Sequence, residues 1–154
     1  MELKSESCEK DVMCYSLWED EAQGVIYILT GPGGNHMGTA SLINCSCQNF
    51  IPYILSARHV SDYNEDGILQ AGDIEDAENA SFMFKHYRPQ CGSGQSSTIT
   101  YNHSIFRASW WKTDFILLEM EDRPSASSDI KYLGMTGIGA GMYPVIRRQF
   151  PIPT

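Results

Sequence analysis

Gly38-Thr-Ala-Ser-Leu-Ile-Asn44, followed by Pro52-Tyr-Ile-Leu-Ser-Ala-Arg-His59, is the stretch from which the rest of the chain is read. Both runs are short, apolar and rich in β-branched or aromatic side chains, which fit a pleated, half-buried surface. Met37 to Asn44 and Pro52 to Ser56 are therefore predicted strands, joined by a hairpin over Cys45–Phe50. Ser56–Ser61 reads as a short helical turn that carries His59. Working outward, Val25-Ile-Tyr-Ile-Leu-Thr30 is a further strand and Gly31-Pro-Gly-Gly34 a turn. Downstream, Ser81–Tyr87 alternates as a strand does, Pro89–Ser97 is a Gly/Ser-rich loop, Thr98–Trp110 is a long strand or hairpin, and Phe115–Met120 is a buried strand. Only Ser56–Ser61 and Gly72–Ala80 look helical. Many short strands separated by turns predict an all-β barrel or sandwich.

The 154 residues correspond to one domain or half of a larger one. With a net charge of −8, the chain is a poor partner for nucleic acid or for an anionic membrane surface. No apolar run reaches the length of a bilayer-spanning helix, and Met1–Glu6 lacks the apolar core of a signal peptide. The chain holds 5 cysteines: Cys8, Cys14, Cys45, Cys47 and Cys91. None has the C-x-x-C spacing of a zinc site, and an odd count leaves one without an intrachain partner. Two readings stand: buried or loop thiols, or an exported protein whose leader is missing from this sequence.

The opening stretch resembles the G-(S/T)-L-(I/V)-N…Y-(F/I)-L-(T/S)-A-x-H segment of trypsin-fold serine endopeptidases. The closest branch is the bacterial lysyl-endopeptidase-like group. Ser7-Cys-Glu-Lys-Asp-Val-Met-Cys14 is similar to that branch's S-C-x-x-D-V-x-C, and Thr113-Asp-Phe-Ile-Leu-Leu-Glu119 to its (S/T)-D-F-x-L-L-E strand. Tyr132-Leu-Gly134 and Tyr143-Pro144 fall where the branch has its aromatic-Gly and Y-P elements. The resemblance spans nearly the whole chain but only the N-terminal half of the family's domain. It implies the N-terminal six-stranded barrel of a double-barrel fold, incomplete over 1–154, with a short helical acidic insertion. It also implies peptide-bond hydrolysis, a protein or peptide substrate, and an extracellular or periplasmic location.

The residue types suit that chemistry. A serine hydroxyl is a weak nucleophile, so an imidazole must take its proton as it attacks the carbonyl. A carboxylate then fixes the imidazole's tautomer and stabilises the imidazolium. The resemblance assigns these roles to His59 and Asp114. Taken alone, His59 is an ordinary surface or core histidine and Asp114 a turn residue; family order and context favour the pair. The family's nucleophile belongs to a G-(D/S)-S-G segment in the second barrel. Gly92-Ser93-Gly94 imitates it, but Ser93 precedes Asp114, in the wrong chain order, and is rejected as nucleophile. Without nucleophile and oxyanion donors, the chain alone is expected to be inactive.

The resemblance also implies a Cys14–Cys91 disulfide and leaves Cys8 without its second-barrel partner. The branch has a bridge flanking the histidine; its positions here are Gly38 and Val60, so both cysteines are absent together. Cys45 and Cys47 receive no partner.

After the histidine turn comes Asp62-Tyr-Asn64-Glu-Asp66-Gly67-Ile68-Leu69-Gln70-Ala-Gly-Asp73, a D-x-N-x-D-G-x-Φ-x-x-x-D pattern of EF-hand type. Calcium would take oxygens from Asp62, Asn64 and Asp66, the Ile68 carbonyl, Gln70 directly or through water, and Asp73, with Gly67 at the sharp turn. The competing reading is an acidic, solvated loop. Trp110-Trp111 reads as cleft lining or as core and rim. Arg147-Arg148 is too short for a nucleic-acid patch, His36, His86 and His103 lack metal spacing, and the glycines from Gly134 to Gly141 precede no Lys-Ser/Thr of a phosphate loop.

Three functional expectations result. The first is a serine endopeptidase portion truncated before its nucleophile. The second is a non-catalytic, calcium-stabilised binding module derived from a protease half. The third is a split enzyme completed by another chain. The face that would dock a second barrel makes self-association an added expectation.

Overall fold

The structure, a computed structural model, describes residues 10–44, 49–62, 64, 66–135 and 146–150. Cys8, Cys45, Cys47, the glycines beyond Gly134 and Tyr143-Pro144 lie outside the described residues. Nine strands are described: β1 (Val25–Thr30), β2 (His36–Asn44), β3 (Tyr53–Ala57), β4 (Ser81–Phe84), β5 (Ile99–Asn102), β6 (Ser104–Trp110), β7 (Phe115–Met120), β8 (Tyr132–Met135) and β9 (Ile146–Phe150). Among the described residues helix is confined to the single turn α1 (Glu19–Ala22), to α2 (Ala71–Glu78) and to 3-10 turns, so the all-β expectation holds.

The hydrogen-bonded order is β5-β4-β1-β2-β3-β7-β6. Its two ends are successive pieces of one stretch, which closes the curl. The break falls at His103, which has φ of 67°. Its N–H donates to the Ala80 carbonyl on the β4 side, and its own carbonyl accepts from Glu121 beyond β7. The long strand expected over Thr98–Trp110 is therefore one bent strand serving both edges. The ring β4, β1, β2, β3, β7 and β6–β5 matches the six-stranded expectation.

Alternation explains the core. Ile26 and Ile28 of β1, Leu42 of β2, Ile54 of β3, Phe82 and Phe84 of β4, and Ile116 and Leu118 of β7 point inward and are buried. Each such side chain contributes roughly 1.5–3 kcal/mol of transfer free energy. Their neighbours Tyr27, Leu55, Met83 and Leu117 face outward, as the period of two requires. Strand β4 stops earlier than the expected Tyr87, because Lys85 turns into a left-handed conformation with φ of 55°. Two strands escaped the sequence reading: β8 runs parallel to β2, pairing Leu133 with Ile43, and β9 is antiparallel to β8. Tyr132, at the head of β8, is fully buried and donates its hydroxyl to the Phe50 carbonyl at 2.9 Å.

A disulfide joins Cys14 to Cys91, with a Cα–Cα distance of 4.5 Å. Asp11 reinforces it, accepting from the Gly92 N–H at 2.8 Å and the Met13 N–H at 3.0 Å. No described helix is long and apolar enough to cross a membrane.

Candidate active site

Strand β3 runs antiparallel to β7, pairing Ala57 with Phe115. The residues just beyond that pair are the 3-10 turn Arg58–Val60 on one strand and Asp114 on the other. Sheet register therefore brings together two residues 55 positions apart. Asp114 closes the 3-10 turn Trp111–Thr113 in a left-handed conformation, φ 50° and ψ 41°. Asp tolerates that region better than most side chains.

Three contacts lock the junction. The Asp114 carbonyl accepts the Arg58 N–H at 2.9 Å. Asp114 Oδ1 accepts the His59 N–H at 3.0 Å. Asp114 Oδ2 lies 2.6 Å from His59 Nδ1. An ionised carboxylate only accepts, so Nδ1 carries a proton, and in the neutral ring Nε2 is then the nitrogen that keeps its lone pair. The histidine side chain is 65% exposed, which leaves the ring open to an approaching group. Burial would raise the Asp114 carboxyl, but the side-chain and backbone bonds from His59, with the nearby charges of His59 and Arg58, outweigh it. Asp114 is held below its ordinary carboxylate value.

Ser93 stands apart from this pair: its N–H and hydroxyl both go to Gln90 in a tight turn next to Cys91. Trp110 and Trp111, on the strand end and turn leading to Asp114, are 51% and 62% exposed, so neither belongs to the core. The Lys112 ammonium lies 5.5 Å from the Trp111 ring centroid. Gly38 faces the histidine turn; a Cβ there would stand 2.6 Å from Val60 Cγ2 and 3.3 Å from Val60 Cβ. The two positions assigned to an absent bridge are thus neighbours.

The acidic loop is knitted by its own hydrogen bonds. Asp62 Oδ2 accepts from Arg58 Nη1 at 2.7 Å and from the Gly67 N–H at 3.1 Å. Asn64 Oδ1 accepts the Asp66 N–H at 3.1 Å, and Asp66 Oδ1 the Ile68 N–H at 2.8 Å. Gln70 donates its side-chain amide to Asp66 Oδ2, and Asp73 Oδ2 accepts the Gln70 N–H at 2.8 Å, closing the start of α2. Among the described residues no three His, Cys, Asp or Glu side chains are placed to hold a metal. Asp62 and Asp73, the first and last expected calcium ligands, are engaged here with Arg58 and with the start of α2, while Asp62 Oδ1 is buried without a hydrogen-bond partner.

Sequence reading missed Arg58 altogether. It is only 8% exposed, which is rare for arginine, and its pairing with Asp62 at i,i+4 was a usable signal. Elsewhere, a depression of about 550 Å³ lies between the N-terminal segment and the outer faces of β1 and β2, walled by Trp18, Val25, Tyr27, Met83 and Leu133. Neither His59 nor Asp114 lines it.

A protein-family profile, described as lysyl endopeptidase, C-terminal domain, matches residues 3–142. A search of curated proteins gives no match.

Proposed function

The chain belongs to the lysyl endopeptidase C-terminal domain family, and from that premise we propose that it is the histidine- and aspartate-bearing portion of a serine-type endopeptidase. The observation that carries this reading is the 2.6 Å contact of His59 Nδ1 with Asp114 Oδ2, backed by the His59 N–H on Oδ1. With its Nδ1 proton held by Asp114, His59 presents Nε2 as the base that takes a serine proton during attack on a peptide carbonyl. The proton then passes to the leaving amine, and Asp114 stabilises the transient imidazolium.

In the resembling family the nucleophile and the oxyanion donors belong to a G-(D/S)-S-G segment; in this proposal the described residues supply the base and its orienting carboxylate, and without that segment they are expected to be inactive toward peptides. The proposed substrate is a protein or peptide; cleavage after lysine is the habit of the resembling branch. The Cys14–Cys91 disulfide fits an extracellular or periplasmic location. The test is labelling by a serine-directed fluorophosphonate. The chain by itself is expected to stay unlabelled. The same chain joined to a segment bearing G-(D/S)-S-G is expected to label; a folded, joined protein that does not label overturns the reading.

A further inference from the structure

Arg58, the first residue of the histidine turn, and Asp62, just beyond it, form a buried ion pair. They are 8% and 1% exposed, and Arg58 Nη1 lies 2.7 Å from Asp62 Oδ2. The backbone follows the same course, with the N–H groups of Ser61 and Asp62 donating to the Arg58 carbonyl at 2.9 and 3.2 Å. On its other side Arg58 donates its N–H to the Asp114 carbonyl at 2.9 Å. Arg58 is therefore anchored to Asp62 by its side chain and to Asp114 by its backbone, and His59 is the next residue along.

We propose that Arg58 is a positioning residue: with Asp62 as its buried counter-ion, it clamps the Arg58–Val60 turn so that the exposed His59 ring meets Asp114 in one geometry. The proposal rests on the reading of His59 and Asp114 as the peptidase couple. A clamp is needed because the couple itself is open to water. The side chains of His59 and Asp114 are 65% and 46% exposed, and a solvent-exposed pair holds its own geometry weakly. A buried pair behaves differently, because separating it leaves a charge without water or partner. Unwinding of the turn that carries His59 would have to break that pair as well. Asp62 also accepts the Gly67 N–H at 3.1 Å, so the acidic loop serves as the fixed mount of the clamp.

The experiment follows the His59 Nδ1 proton in the whole chain by nitrogen-edited proton NMR, with the amides of Ile54 and Leu118, in β3 and β7, as internal controls of the barrel. In the unaltered chain a far-downfield, exchange-protected Nδ1–H signal is expected. Arg58→Met/Asp62→Leu removes both charges and leaves neither orphaned. Water exchange of the Nδ1 proton is then expected to rise about tenfold or more while Ile54 and Leu118 keep their protection. Arg58→Lys, which keeps the charge, is expected to recover most of the protection. A folded double variant whose Nδ1–H exchanges as in the unaltered chain overturns the proposal and leaves the couple standing. Absence of the signal from the unaltered chain overturns the couple, and the proposal with it. If the double variant does not fold, the isosteric Asp62→Asn is read by the same two outcomes.

Discussion

His59 and Asp114 are joined twice, through the ring at 2.6 Å and through the backbone N–H at 3.0 Å, each bond using a different carboxylate oxygen. The second bond holds the carboxylate by its other oxygen, independently of the imidazole. Asp114 therefore orients the ring and is itself oriented, and this double attachment holds its carboxyl below the ordinary range against the opposing effect of burial. The consequence for pH follows in sign. A carboxyl whose folded value is depressed contributes stability above its unfolded value and loses it as pH falls through the folded one. Asp114→Asn is expected to flatten part of the acid limb of a melting-temperature profile below about pH 4, with an effect at pH 7 under about 1 kcal/mol because the group is half exposed. An acid limb identical in variant and parent would contradict the depressed Asp114.

Gly38 and Val60 offer a structural test of the histidine turn. The Cβ–Cβ separation of 3.3 Å implied for them is slightly short of the range for disulfides, about 3.5–4.5 Å, and a shift of a few tenths of an ångström closes the gap. Gly38→Cys/Val60→Cys is expected to oxidise spontaneously and to stabilise by up to about 3 kcal/mol, measured as the difference between oxidised and reduced unfolding. Gly38→Ala alone is expected to destabilise by about 1–3 kcal/mol, because its methyl meets the Val60 branches. Failure of the two cysteines to pair would place the turn elsewhere.

Tyr132 contributes to the alkaline limb. Burial pushes its hydroxyl up to about 12 from an ordinary value of 10.0. Between these values the unfolded chain releases a proton that the folded chain retains, so stability falls as pH rises from 10 toward 12. Tyr132→Phe is expected to shallow that fall. At neutral pH it is expected to cost about 1 kcal/mol through loss of the bond to Phe50. Denaturant unfolding at pH 7 and pH 11 measures both.

The Cys14–Cys91 bridge spans 77 positions and ties the N-terminal segment to the loop after β4. A closed loop of that length stabilises by roughly 4 kcal/mol in the chain-entropy account, so reduction is expected to lower the melting temperature by about 10 °C. Tm with and without a thiol reductant checks it; equal values would remove the bridge from the account.

Calcium separates two readings of the acidic loop. Asp62 is held by Arg58 and Asp73 caps α2, so millimolar calcium is expected to leave the melting temperature within about 1 °C of its metal-free value. A rise of several degrees would restore the ion-binding loop and favour the calcium-stabilised binding module.

The legible part of this fold was its alternation. Strands β1 and β7 have the limits read from Val25–Thr30 and Phe115–Met120, because one buried face imposes a period of two. The bend at His103 was hidden, since nothing in Thr98–Trp110 marks the residue at which one strand changes partners. Strands β8 and β9 were hidden because they are short and gain their pairing only from distant partners. At the site, His59 and Asp114 were legible from their motifs. The left-handed turn at Asp114 was not, and Arg58 was passed over because arginine in a turn is ordinarily solvated. The twelve-residue acidic pattern was legible as spacing, but spacing alone did not show that its first carboxylate also pairs with Arg58, four residues earlier in the chain.

We propose His59, oriented by Asp114, as the base of a serine endopeptidase. The most direct measurement is the rate of peptide hydrolysis by the chain joined to a nucleophile-bearing segment, with His59→Ala and Asp114→Asn compared against it. Hydrolysis falling by about 10⁴-fold in Asp114→Asn, and at least as far in His59→Ala, is the expected result. Hydrolysis that survives His59→Ala undiminished in the folded, joined protein would contradict it.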